Sequence, residues 1–141
     1  MAPSSSEHGY SGTPLARKLG IAEGGAFVVV ADPGNADELL APLPDGARRI
    51  DDVDEAEVVL AFTTTRTDLE STVAELGEAI FPDRMLWIAW PKRASGVPTD
   101  VTEDVIREVA LPLGLVDTKV AAIDGTWSGL RLVWRRDQRV R

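Results

Sequence analysis

VDTKVAAIDGTWSGLRLVWR, Val116 to Arg135, carries two apolar segments, Val116 to Ile123 and Leu130 to Arg135, separated only by DGTWSG. A parallel neighbour requires a crossover of about a dozen residues or more, whereas a short turn suffices for antiparallel pairing. The spacing therefore predicts that the chain ends in two strands, the last antiparallel to its neighbours.

Upstream, strands alternate with helices. GAFVVVAD, Gly25 to Asp32, is a β-branched run without alternation, as expected of a strand covered on both faces. Thr13 and Pro14 read as the start of a short helix before it, ended at Gly20. After Pro33-Gly34, Asn35 and Glu38 suggest a capping pair for a brief helix over residues 37–41, stopped by Pro42 and Pro44. A weak strand spans Ala47 to Asp51, and a stronger one runs from Ala56 to Phe62. Thr67 and Glu70 suggest the capping box of a helix whose Leu69, Val73, Leu76 and Ile80 fall on one face. MLWIAW, from Met85, is the next strand, and Val101, Val105, Ile106 and Val109 mark another amphipathic helix before Gly114. Strands alternating with helices imply right-handed crossovers and a mainly parallel sheet. The predicted fold is α/β, a three-layer Rossmann-like domain with a mostly parallel six-stranded sheet and an antiparallel last strand.

With 141 residues the chain suits one domain, placed at residues 13–136, between a disordered tail over 1–12 and a basic tail over 137–141. Net charge is -8, from 15 basic and 23 acidic residues, so no nucleic-acid surface is expected. There is no Cys, and the single His8 lies in the leading segment; zinc chemistry and a metal site are not expected. No run approaches the length of a membrane span, and the first residues lack the pattern of a secretory signal, so a cytoplasmic protein without membrane contact is expected.

YSGTPLARKLGI, GAFVVVADPG, MLWIAWPKRASG and TEDVIREVALPLGLVDTKVAAIDGTWSGLRLV together resemble the bacterial family known as domain of unknown function 3052, over about residues 10 to 135. The layout, with LARKLGIAEGGAFVVVAD leading into the first strand, is similar to class I methyltransferases. That likeness implies a topology and an S-adenosylmethionine site at a glycine-rich loop after strand one. Here that loop is Asp32-Pro33-Gly34-Asn35, with one glycine, and the fingerprints for NAD and for nucleoside triphosphates are also missing. No cofactor is expected on this ground.

In open α/β sheets ligands bind beyond the carboxyl ends of the strands, where strand order reverses, here between strand one and the Ala56–Phe62 strand. Two loops on that rim suit an anion. Thr63, Thr64, Thr65 and Arg66 lead into a helix N-terminus, while Lys92 and Arg93 follow MLWIAWP. Ser95 and Gly96 allow close approach of backbone to a ligand or simply make the turn. Trp127 offers a ring for stacking, an interface, or packing under its loop. Asp32 and Asp51 end the first two strands, where ribose-binding acids occur in dinucleotide folds. The acidic run from Asp51 to Glu57 reads as a solvated turn, and no nucleophile with an orienting base is recognisable, so no catalytic residue is assigned. The function these residues suggest is a non-catalytic domain binding an anionic small molecule through Thr64, Thr65, Arg66, Lys92 and Arg93. The alternatives are a divergent S-adenosylmethionine-dependent methyltransferase-like enzyme, and a module that binds a protein partner through the Trp127 loop and the basic tail. Oligomeric state is left open.

Overall fold

A computed structural model describes residues 12–141. The disorder expected for the leading tail, and His8 with it, lies outside the described residues. The sheet has six strands: β1 (Ala26–Val30), β2 (Arg48–Arg49), β3 (Val58–Phe62), β4 (Met85–Pro91), β5 (Leu115–Ala122) and β6 (Trp127–Trp134). The helices are α1 (Leu15–Lys18), α2 (Ala36–Leu40), α3 (Arg66–Ala79) and α4 (Glu103–Ala110), with short 3-10 turns between. Strand order is β2-β1-β3-β4-β6-β5, and order reverses between β1 and β3 as the sequence predicts. β1 to β4 are parallel, whereas β6 pairs antiparallel with both β4 and β5.

The continuous apolar strands divide their side chains cleanly between two cores, as the strand period of two requires. Val59 and Ala61 of β3, with Leu86, Ile88 and Trp90 of β4, face Leu69, Val73 and Ile106 of α3 and α4. Val58, Leu60 and Phe62, with Trp87 and Ala89, face Ala16, Leu19 and Leu40 of the short α1 and α2. One face thus carries long helices and the other a thin cover.

Several local expectations give way to better hydrogen-bond solutions. The N-cap of α3 is Thr65, whose hydroxyl accepts from the Asp68 N–H at 3.1 Å, so the helix starts before the expected Thr67 box. Asn35 makes no side-chain cap; Asp32 takes that role for α2 through the Ala36 N–H. Trp127, Ser128 and Gly129 belong to β6 rather than to a loop. In the exposed basic tail, the Arg141 guanidinium pairs with Glu78 and lies 3.8 Å from the centre of the Phe81 ring.

The thin face is fixed by Trp87. Its ring is fully buried, and its Nε1–H donates to the Leu19 carbonyl at 2.8 Å, tying β4 to the segment after α1. Gly129 of β6 makes room for that ring, since a Cβ there would lie 3.2 Å from Trp87 Cε3 and 3.1 Å from Ile123 Cδ1. Trp87→Phe leaves a cavity and an unpaired buried carbonyl, so it should cost about 2 to 4 kcal/mol by urea unfolding. A loss under about 0.5 kcal/mol, the range of ordinary surface changes, contradicts this anchoring role.

Candidate functional site

The carboxyl ends of β1, β3, β4 and β5 form one rim, and the sequence-predicted residues lie on separate loops along it. At the end of β1, Ala31 adopts φ +57, a left-handed conformation that costs a residue with a Cβ about 1 to 2 kcal/mol. This sharp turn swings Asp32 back toward its own loop. The Asp32 carboxylate accepts from the N–H groups of Gly34 (2.7 Å) and Ala36 (3.2 Å) and from Arg49 (3.1 Å), whose guanidinium also holds Asp37 at 2.9 Å. The Gly34 N–H foremost, helped by Ala36 and Arg49, holds its pKa below the ordinary aspartate range against the opposing effect of burial. The amides that a glycine-rich loop would offer a ligand are thus taken by the protein's own carboxylate. Asp51, after β2, is exposed and has no hydrogen-bond or ion-pair partner among the described residues. Space above the loop is open: a Cβ on Gly34 would meet nothing within 4 Å.

Past β3, the buried Thr63 donates its hydroxyl to the Ala89 carbonyl, and the Thr64 carbonyl accepts from the Thr99 hydroxyl at 2.6 Å. Thr65 is spent on the α3 cap. Arg66 is engaged by the protein's own carboxylates. Its backbone N–H donates to Asp100 at 2.7 Å, and its guanidinium pairs with Glu108 of α4 at 2.8 Å and Glu70 at 3.2 Å. Two carboxylates already answer this cation, which serves as a clasp between α3 and α4.

The loop after β4 keeps its cations available. Lys92 donates its backbone N–H to the Thr126 carbonyl at 2.7 Å, joining this loop to the β5–β6 turn. The side chains of Lys92 and Arg93 have no hydrogen-bond or ion-pair partner among the described residues. Ser95 turns inward, donating its hydroxyl to the Lys92 carbonyl at 2.6 Å, and Gly96 at φ +76 closes the 3-10 turn; both serve the turn itself. Arg93 and Gly96 border a hollow of about 490 Å³ with Trp90, Thr99, Thr102 and Glu103. Trp127 is half-buried and packs edge-on against Phe62, centroids 4.9 Å apart, so the packing alternative describes it.

A larger hollow, about 680 Å³, lies on the thin face where the α1 N-terminus, α2 and the end of β5 meet, lined by Leu15, Lys18, Leu39, Pro42 and Ile123 among others. These residues come from three distant segments, and no spacing along the chain announces their meeting. Among the described residues no group of three or more His, Cys, Asp or Glu side chains is placed to hold a metal, and no helix is long and apolar enough to cross a membrane.

Comparison with known proteins agrees with this architecture. A SAM-dependent methyltransferase from Aquifex aeolicus superposes with TM-score 0.58 at 13% identity, covering 84% of this chain and 86% of that one. A fibrillarin pre-rRNA processing protein from Methanococcus jannaschii gives TM-score 0.55 at 11% identity, covering 81% and 68%. Magnesium protoporphyrin IX methyltransferase from Synechocystis, solved with bound SAM, gives 0.52 at 11% identity, covering 86% and 74%. The fold is thus the Rossmann-like fold of class I methyltransferases. No family model matches the chain, which leaves the likeness to domain of unknown function 3052 without support from that comparison. No curated protein matches it either.

Because the Asp32 pKa is depressed in the folded state, its contribution to stability is present above the unfolded value and lost as pH falls through the folded one. Asp32→Ala should therefore cost about 1 kcal/mol at neutral pH, the usual loss for a helix cap. In urea titrations the gap to wild type should close as pH drops below about 3.9, the ordinary aspartate value. A gap independent of pH contradicts this assignment of the carboxylate.

Proposed function

We propose that this protein is a divergent methyltransferase-like protein that binds S-adenosylmethionine or a related adenosyl compound on the carboxyl rim of its sheet. The observation that carries this reading is the strand order, β2-β1-β3-β4-β6-β5 with its reversal between β1 and β3, a topology whose ligands sit beyond the strand ends at that reversal. The structural neighbours support it, since one is described as SAM-dependent and another was solved with bound SAM. Asp51 stands free beyond β2, where it would accept from ribose hydroxyls, and the space over Gly34 is open. The amides of Gly34 and Ala36 are engaged by Asp32, so binding would rest on Asp51 and apolar contact rather than on those donors. Bound there, the compound would supply a methyl group on a sulfonium centre.

The same Asp32 contacts favour a second reading. A protein that fills its first loop with its own carboxylate has given up the donors a methyl-donor site uses. The unpartnered Lys92 and Arg93 then suit a non-catalytic domain holding a small anion beside the loop after β4.

Titration calorimetry separates the two. Adenosylmethionine or its demethylated product should give saturable heat at millimolar ligand or below, and Asp51→Ala should weaken binding by about tenfold, the loss of a hydrogen bond to a charged group. No heat from either adenosyl compound, with inorganic phosphate or sulfate binding that is lost in Lys92→Ala/Arg93→Ala, overturns the first reading in favour of the second.

A further inference from the structure

The hollow beside α1 does not end at the apolar residues already described. A second one, about 470 Å³, is bordered by Arg17, Lys18, Lys119, Val120 and Ala121, and the two share Thr13, Lys18 and Ala122. They form one cleft running down the α1 face from the end of β5. Its upper part is apolar, through Leu15, Leu39, Pro42 and Ile123; its lower part is cationic.

Charge makes this cleft unusual. The chain has 23 acidic residues against 15 basic ones, yet among the described residues no carboxylate lines either hollow, and three cations line the lower one. Lys119 is exposed and has no side-chain partner among the described residues. Arg17 has a glancing partner, Glu23 at 3.7 Å, with both side chains more than half exposed. A fourth cation, Arg131, stands opposite Lys119 in the β5–β6 register, its guanidinium resting on the Thr118 hydroxyl at 2.8 Å and the Met85 sulfur rather than on a carboxylate. Such a charge cluster on an otherwise acidic surface is where an anion's field-driven approach ends. A pocket that is mostly apolar with a few convergent polar groups is also the usual form of a small-molecule site.

We infer that the cleft binds an amphiphilic anion, a small molecule whose acyl chain or ring fills the Leu15–Leu39–Ile123 part while its phosphate or carboxylate head meets Arg17 and Lys119. This site is separate from the rim above β1 and β3, and it does not depend on the adenosyl reading. An acidic peptide strand added along the outer edge of β5 is the competing occupant. The contact of the charged part with an apolar one favours the small molecule, because a strand laid on the edge leaves that apolar part unfilled.

Octyl phosphate, octanoate, octanol and inorganic phosphate are the probes, each titrated into the whole protein and followed by amide chemical shifts. Octyl phosphate or octanoate should bind and shift amides at both ends, around Leu39 and around Lys119. Octanol and inorganic phosphate, each carrying half of the recognition, should bind at least tenfold more weakly. Arg17→Glu/Lys119→Glu should weaken the anionic amphiphile at least tenfold, with an unchanged spectrum of the free protein showing that the fold is kept. Ala122→Trp, at the junction of the two hollows, should block it by bulk alone. Equal binding of octyl phosphate to wild type and the charge-reversed variant, equal binding of octanol, or shifts absent from either end overturns the inference. A glutamate-rich peptide that shifts the β5 amides while octyl phosphate shifts none assigns the edge to a strand instead.

Discussion

The turn at residues 123–126 is too short for the chain to do anything but double back, and the antiparallel end of the sheet follows from that constraint. A chain leaving β5 without room for a crossover has to pair antiparallel with the strand it has just made. β6 does so, and its other edge completes the sheet against β4, with Ala89 opposite Gly129 and Trp87 opposite Arg131. β5 is thereby displaced to the outside of the sheet. Its placement there leaves Thr118, Lys119 and Val120 exposed and opens the cleft along α1. The short link fixes the antiparallel pairing of β5 and β6, and the pairing of β6 with β4 then puts β5 on the outside, beside the cleft along α1.

The two faces of the sheet are stabilised by different means. On the long-helix face, α3 and α4 bury Leu69, Val73, Ile80 and Ile106, and charged clasps lock their outer surfaces. Arg66 bridges to Glu108, while Arg107 reaches Asp104 within α4 and Asp117 at the start of β5, both at 3.0 Å. These pairs are largely exposed and contribute little individually; their role is to fix how the helices lie. On the other face the cover is so short that orientation depends on particular contacts, above all the Trp87 indole on the Leu19 carbonyl. Less helix on that face also means less filled space, which is why the larger hollow lies there.

The sequence made the strands, their order of appearance and the antiparallel ending legible, because burial on both faces leaves unbroken apolar runs such as VVLAF and MLWIAW, and because link length decides strand direction. Caps were legible only in kind. At the start of α3 two threonines were eligible, and the choice fell to Thr65, which lies close enough for the Asp100 carboxylate to take the Arg66 amide as well. Before α2, a left-handed Ala31 turned Asp32 into the position that Asn35 was expected to fill, and no residue-type preference announces such a conformation. The candidate site was legible in part. Lys92 and Arg93 stand free at the end of β4, but of the two carboxylates that hold the Arg66 guanidinium only Glu70 is near in sequence, Glu108 being 42 positions away on α4, and Trp127 had been placed in a loop that proved to be a strand. The α1 cleft was not legible at all, since Arg17, Leu39 and Lys119 meet only once β5 has been pushed to the edge.

That displacement is the central claim, and amide hydrogen exchange tests it most directly. With β6 paired on both sides from Trp127 to Leu132 and β5 on one, the amides of Trp127 to Leu132 should be protected throughout that stretch. Along Val116 to Ala122 protection should alternate, with slow exchange where an N–H points to β6 and fast exchange where it points outward. Uniform protection along β5 together with alternation along β6 would contradict the strand order on which both the rim and the cleft depend.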